Sequence, residues 1–221
     1  MSWDEHGITY ECDQHHAEII VKQLKMGEGG AKSVVTPGIK QDAGESQPLD
    51  STMASQYRSL TMRLNYLAQD RADVQFAGKE LARGMSSPTE ADWQKLKRVG
   101  RYLVGRPRMV LKYRSQQYTN GLTCMVDSDY AGCLKTRKST NGGVLMMGKH
   151  CVQTWSSSRA VIALSSGEAE FYGVVKGASV LLGMLSAAKD LNIPLKGELW
   201  FGIASRKGLG KVRHLHTQYL W

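Results

Sequence analysis

The spacing of apolar residues changes near Asn120, and this change is the strongest constraint on the fold. Before Asn120, apolar residues recur every three or four positions, the period of an amphipathic helix. This spacing predicts four helices, over 13–26, about 52–69, 74–85 and 89–103. Thr89 and Asp92 have the spacing of a capping box at the start of the fourth helix. A stretch rich in glycine and proline, 27–50, predicts a flexible loop between the first two.

After Asn120 the pattern becomes that of strands. Residues 121–127 alternate apolar and polar side chains and end on a carboxylate, which predicts a strand. Two apolar runs flank residues 148–150 and predict a hairpin, and a long helix follows, with Ser165 and Glu168 at capping-box spacing. Residues 195–203 predict a further strand. This order predicts an α/β fold, a mixed sheet with a helix packed against it, after a mainly helical first half.

The charge of the chain favours a polyanionic partner. The chain has 221 residues, and 29 Lys and Arg against 20 Asp and Glu give a formal net charge of +9. Such an excess is typical of nucleic-acid-binding proteins, although many basic proteins bind none. The basic stretch that begins in the fourth helix could be a solvated helix face or a surface that contacts phosphates. The candidate nucleic-acid contacts are Lys95, Arg98 and Arg101 in this stretch, with Arg137 and Lys138 in a later loop.

Other features of the sequence bear on where in the cell the protein is located. No apolar run approaches the roughly 20 residues that span a bilayer, so we expect no membrane partner. The first residues lack the apolar stretch of a secretory signal, and the 4 cysteines form no C-x-x-C pair. We therefore expect an intracellular chain, in the cytoplasm or the nucleus.

Few acidic residues are available for chemistry in the second half. An enzyme that hydrolyses phosphodiesters with two metal ions holds them about 3.5–4 Å apart through several carboxylates. The candidates are Asp127, Asp129, Glu168 and Glu170. Glu168 has the position of a helix cap, which leaves Glu170 freer to face the sheet. From the pattern alone, ordinary helix caps and solvated acids remain the alternative.

Four motifs in the second half carry a resemblance to a known family. VDSDYAG, TRKSTNGG, WSSSR and SSGEAEF occur in this order between residues 126 and 171. This segment resembles the ribonuclease H domain of copia-type retrotransposon polyproteins. The earlier segment that begins QYRSLTMRLNYLAQDR is similar to the region that joins the reverse transcriptase palm to ribonuclease H. The resemblance implies a connection segment over 1–118 and a ribonuclease H-like, C-terminally truncated domain over 119–221.

The resemblance also implies a reaction and its site. The ancestral reaction is magnesium-dependent hydrolysis of RNA in RNA–DNA hybrids, and the position of each motif assigns Asp127 and Glu170 as catalytic metal ligands. The third carboxylate of the family, an Asp after the long helix, is missing because Trp200-Phe201 passes straight to Gly202. On that strand, Glu198 is a possible substitute.

We therefore expect impaired hydrolysis, with two Mg²⁺ ions only if the site is active. The chain contains no Tyr-x-Asp-Asp-like polymerase motif. We expect it to be part of a longer polyprotein whose upstream palm is a partner. Its other partner would be an RNA–DNA hybrid or another nucleic acid. The alternatives are a non-catalytic nucleic-acid-binding module and a non-functional remnant.

Overall fold

The chain divides into two units. The computed structural model describes residues 1–27, 31–39, 46–133, 135–203 and 211–216, with only the backbone described at 202–203 and 211–216. The units are Met1–Ser115 and Gln116–Trp221, so their boundary lies slightly before the one predicted at 118/119. Gln116 belongs to the second unit because its side-chain amide binds the hairpin there. The amide nitrogen donates to the Met147 carbonyl at 3.0 Å, and the amide oxygen accepts from the Lys149 backbone N–H at 2.9 Å.

Among its described residues, the first unit combines helices with a small sheet. The helices are α1 (His15–Gln23), α2 (Ser51–Leu67), α3 (Ala72–Arg83) and α4 (Glu90–Gly105). The strands β1 (Ser2–Asp4), β2 (Gly7–Glu11) and β3 (Val110–Arg114) pair antiparallel in the order β1-β2-β3. The predicted mainly helical character is confirmed. The sequence analysis does not predict this sheet, because β2 and β3 are short and pair across a long separation in the sequence, Glu11 with Val110.

The apolar residues at helical spacing form the core of the first unit. Tyr57, Leu64 and Leu103 are fully buried, and leucines from α2, α3 and α4 pack around them. Helix α4 begins at the predicted capping box. The Thr89 side chain accepts from the Asp92 N–H, and the Asp92 carboxylate accepts from the Thr89 N–H. Local spacing and capping therefore define this unit's helices.

The second unit is a mixed sheet with one long helix in its described part. The strands are β4 (Gly121–Asp129), β5 (Thr140–Met147), β6 (His150–Ser158), β7 (Lys196–Ile203) and β8 (Lys211–His216). Their order in the sheet is β6-β5-β4-β7-β8, and β4 and β7 are parallel while the other neighbours are antiparallel. Helix α5 (Ser166–Asp190) connects β6 to β7. The predicted α/β fold, a ribonuclease H-like mixed sheet with a packed helix, is confirmed.

Small residues bring α5 close to the sheet. Gly177 faces β4 and β7 so closely that an added Cβ would lie 2.5 Å from Val126 Cγ1 and 3.0 Å from Leu199 Cδ1. Leu122, Leu199 and their apolar neighbours in the sheet are buried beneath the helix. The glycine therefore sets the distance between the helix and the two central strands.

Helix α5 is also long and apolar enough to cross a membrane by length and composition alone. The expectation that no segment of this kind occurs is wrong on those two criteria. Between Glu170 and Lys189 the apolar residues are interrupted by small residues and by one charge, Lys176. One face of α5, which includes Gly177 and Leu181, is buried against the sheet.

Candidate nucleic-acid interface and carboxylate positions

Asp127 lies near the carboxyl end of β4, on the face of the sheet that points away from α5. Successive side chains of a strand point to opposite faces. Val126 and Ser128 both lie against glycines of α5, so Asp127 between them points to the other face. The Asp127 side chain is exposed, and its Oδ1 accepts a hydrogen bond from the Ser128 N–H at 2.9 Å.

Glu170 lies in the first turns of α5. Gly173, one turn later, faces Ser128 and Asn141, which places Glu170 at the margin of the helix face that packs on the sheet. The Ser165 hydroxyl accepts from the Glu168 N–H at 3.1 Å, as the capping-box spacing predicts. In a capping box the Glu168 carboxylate would accept from the backbone N–H of Ser165. Here it accepts instead from the backbone N–H of Leu164, at 2.7 Å.

Glu198, the possible substitute for the missing carboxylate, is far from Asp127 along the sheet. In the parallel register of β4 and β7, Glu198 pairs with Thr123, four positions before Asp127. At about 3.3 Å per residue, this offset corresponds to about 13 Å. Trp200 Nε1 lies 3.4 Å from the Glu198 carboxylate, at hydrogen-bond distance. Glu198 therefore does not converge with Asp127.

The residues present do not fit a two-ion magnesium site. Two ions about 3.5–4 Å apart need several shared carboxylates, and Mg²⁺ demands near-ideal octahedral oxygen geometry. Within the described ranges, no group of three or more His, Cys, Asp or Glu side chains is placed to hold a metal ion. Asp127 points to the face of the sheet away from α5, and Glu198 is offset along β7, so the described residues supply too few converging carboxylates for two ions.

A polar cluster that the sequence analysis does not identify lies at the carboxyl end of β4. With the Asn141 amide oriented to satisfy both of its ends, its nitrogen donates to Ser128 Oγ at 3.1 Å and its oxygen accepts from Arg159 Nη2 at 3.0 Å. The Arg159 guanidinium stacks 3.9 Å from the centre of the Tyr172 ring. Burial lowers the pKa of Arg159 from its ordinary value, although arginine stays charged in folded proteins. A guanidinium held in this way is suited to bind phosphate.

The predicted basic contacts on α4 bind their own chain. Lys95 Nζ pairs with Asp92 at 3.0 Å. Arg98 Nη2 donates to Thr36 Oγ1 at 2.9 Å, and Arg101 Nε donates to the Lys32 carbonyl at 2.7 Å. These two bonds attach residues 31–39 of the predicted flexible loop to α4, whereas 28–30 and 40–45 lie outside the described residues.

The predicted basic contacts in the second unit are placed differently. Arg137 and Lys138 lie in the connection from β4 to β5, and Arg137 is exposed. Within the described part of the chain, neither side chain has a hydrogen bond or an ion pair. Their charge therefore remains available at the same end of the sheet as Arg159.

Comparison with curated proteins identifies the family. The chain is 34% identical over 141 residues to the retrovirus-related Pol polyprotein from transposon RE2 of Arabidopsis thaliana, and 33% identical over 144 residues to that from transposon RE1 of the same plant. The matches cover 64% and 65% of this chain and 10% of each relative. The chain belongs to the copia-type retrotransposon polyproteins. This polyprotein segment thus spans about a tenth of the length of the two curated relatives.

A third match has a different name. Secreted RxLR effector protein 161 of Plasmopara viticola is 35% identical over 101 residues, which cover 46% of the copia-type segment and 70% of that protein. No protein-family profile and no solved structure matches the chain.

Proposed function

We propose that this segment contains the connection region and the ribonuclease H-like domain of a copia-type polyprotein. In this proposal it binds nucleic acid, with an RNA–DNA hybrid as the expected ligand, and hydrolyses the RNA strand poorly or not at all. The observation that carries the proposal is the position of Glu198, about 13 Å along the sheet from Asp127, which leaves no group of three candidate ligands among the described residues.

The physical reason for poor hydrolysis is the loss of shared metal ligands. A pair of metal ions stabilises the attacking and leaving oxygens of an in-line displacement only when carboxylates hold both ions in place. A misplaced catalytic group is costly, because an error of about 1 Å can reduce a rate about 100-fold. If a magnesium ion does bind, Asp127 and Glu170 are the residues that the resemblance assigns to it.

Support for nucleic-acid binding comes from basic side chains that have no internal partner among the described residues. Arg137 and Lys138 have no side-chain partner in the described part of the chain, and Arg159 is fixed nearby by Asn141 and Tyr172. Contacts of arginine and lysine with phosphates dominate the affinity of proteins for nucleic acid and make it salt-dependent. The basic loop therefore supports a backbone contact better than α4 does.

A cleavage assay tests the catalytic half of the proposal. The full chain is incubated with a labelled RNA–DNA hybrid and Mg²⁺ or Mn²⁺, beside an active ribonuclease H as the positive control. We expect no product above that of the Asp127→Asn variant. Cleavage by the wild-type chain that Asp127→Asn abolishes would contradict the proposal of impaired hydrolysis.

A binding titration tests the other half. The affinity of the full chain for the same hybrid is measured by fluorescence anisotropy at several salt concentrations. Each phosphate contact contributes about −0.9 to the slope of log affinity against log salt. We expect the double variant Arg137→Gln, Lys138→Gln to reduce the slope by up to about 2. Lys189→Gln, at the far end of α5, is the matched control and leaves the slope unchanged.

Two results of the titration contradict the proposal. No binding at low salt favours a non-functional remnant. Binding with an unchanged slope in the double variant places the nucleic acid elsewhere on the chain.

A further inference from the structure

A cavity in the first unit lies between α3, α4 and residues 37–39. Its volume is about 430 Å³. Phe76 and Leu81 of α3 line one wall, and Val99 of α4 lines another. Gly38 closes over Phe76, since a Cβ at Gly38 would lie 3.7 Å from the Phe76 ring. Lys79 Nζ lies over this ring, 4.3 Å from its centroid, so the cavity offers an apolar wall with one partly covered aromatic ring.

The polar residues of the cavity carry an excess of positive charge. Lys97, Arg98 and Arg101 line it, and Lys97 has no hydrogen bond or ion pair in the described part of the chain. Glu80, an acidic lining residue, is already paired with Lys79 at 2.6 Å and with a second basic residue of α3. A fourth lining cation, Lys95, is paired with Asp92, but Lys97, Arg98 and Arg101 are not neutralised by the Glu80 carboxylate beside them.

Arg98, which lines the cavity, has a hydrogen-bond donor without a partner among the described residues. Its Nη2 donates to Thr36 Oγ1, whereas its Nε is buried and has no partner among the described residues. The bond of Arg101 Nε goes to a neutral carbonyl oxygen, that of Lys32. A buried donor without a partner is costly, and an anionic oxygen is the strongest partner for a guanidinium.

We propose that this cavity binds the phosphate monoester of a nucleotide, with the base against Phe76. Lys97, Arg98 and Arg101 contact the phosphate, and the apolar wall covers the base. A free mononucleotide and the 5′-phosphorylated end of a nucleic-acid strand share this chemistry. The site is separate from the basic loop of the second unit and does not depend on the proposed function.

Isothermal titration calorimetry on the full chain tests the site, with 5′-AMP, adenosine, inorganic phosphate and a 5′-phosphorylated trinucleotide as probes. We expect 5′-AMP to bind at least about tenfold more tightly than adenosine, because a charged phosphate forms stronger hydrogen bonds than a hydroxyl. Tighter binding of the trinucleotide than of 5′-AMP indicates a strand end, and the reverse indicates a free nucleotide. Both results support the proposal.

Variants locate the site. Lys97→Gln removes a cation that has no partner within the described ranges, so we expect at least a threefold loss of 5′-AMP affinity without loss of folding, on the order of a weak ion pair. Lys112→Gln, an exposed cation of β3, is the matched control and leaves the affinity unchanged. Phe76→Leu weakens 5′-AMP but leaves phosphate binding as it is, because only the base contacts the ring.

Three results overturn the proposal. They are equal affinities for 5′-AMP and adenosine, no effect of Lys97→Gln, and no heat of binding at millimolar 5′-AMP. Since the hybrid titration measures the basic loop of the second unit, its failure and the failure of this site are distinguishable.

Discussion

The buried ion pair of Arg71 and Asp73 provides the sharpest prediction on stability. Arg71 is 1% exposed, and its Nη2 lies 2.6 Å from Asp73 Oδ2. Its Nη1 donates to the carbonyl oxygens of Arg106 at 3.0 Å and Pro107 at 3.3 Å. The Tyr102 hydroxyl donates to Asp73 Oδ2 at 2.8 Å. The network thus joins the start of α3 to the end of α4.

Asp73→Asn keeps the shape of the side chain but leaves the buried guanidinium without a counter-charge. Removing one partner of a buried pair costs about 3–5 kcal/mol. The Asp73 side chain is 23% exposed, so water compensates part of the loss, and we expect about 3 kcal/mol less free energy of unfolding. The double variant Arg71→Met, Asp73→Leu removes both charges, and we expect it to recover most of the lost free energy of unfolding.

The same pair predicts a dependence on pH. Burial alone raises the pKa of Asp73, but hydrogen bonds from Arg71 and Tyr102 outweigh it and hold this pKa below its ordinary value. The folded-state pKa is therefore lower than that of the unfolded chain. The stabilisation is complete above about pH 4 and is lost as the pH falls through the folded value.

Hydrogen exchange measured by mass spectrometry on peptides of α3 and α4 is the suitable assay. It reports on the first unit alone, whereas a chain with two units need not unfold in one step. Asp190→Asn, an exposed change at the end of α5, is the matched control, with an expected effect within about 0.5 kcal/mol. A loss below about 1 kcal/mol in Asp73→Asn, or an unchanged acid dependence, would refute the reasoning.

Three further predictions concern packing, capping and a thiol. Gly177→Ala brings a Cβ to 2.5 Å from Val126 and should lower the free energy of unfolding, measured with urea, by about 1–3 kcal/mol. Gly183→Ala, with nothing within 4 Å, is its control and should not destabilise. Thr89→Ala removes the cap of α4, and exchange in its first turn should show a loss of about 1 kcal/mol. Burial raises the pKa of Cys124 to about 11, so iodoacetamide at pH 8 should label it only after unfolding, and rapid labelling of the native chain would contradict its burial.

Much of the secondary structure could be predicted from the sequence because its causes are local. The capping box at Thr89, the alternation in β4 and the helical spacing through α5 each depend on residues within a few positions of one another. The small sheet of the first unit could not be predicted in this way, since four helices separate β2 from β3 in the sequence. Arg159 and Asn141 are separated in the sequence, and only strand pairing makes them neighbours.

The sequence by itself determined the basic charge of the chain, its helical and strand segments and the small number of acidic residues in its second half. Only the tertiary structure decided which of those residues meet. Strand register places Glu198 beside Thr123, and the alternation of β4 places Asp127 on the face away from α5. Whether carboxylates converge depends on register between strands about 75 residues apart, which no local pattern encodes. For the same reason, only the tertiary structure shows that Arg98 and Arg101 of α4 each donate a hydrogen bond to residues 31–39.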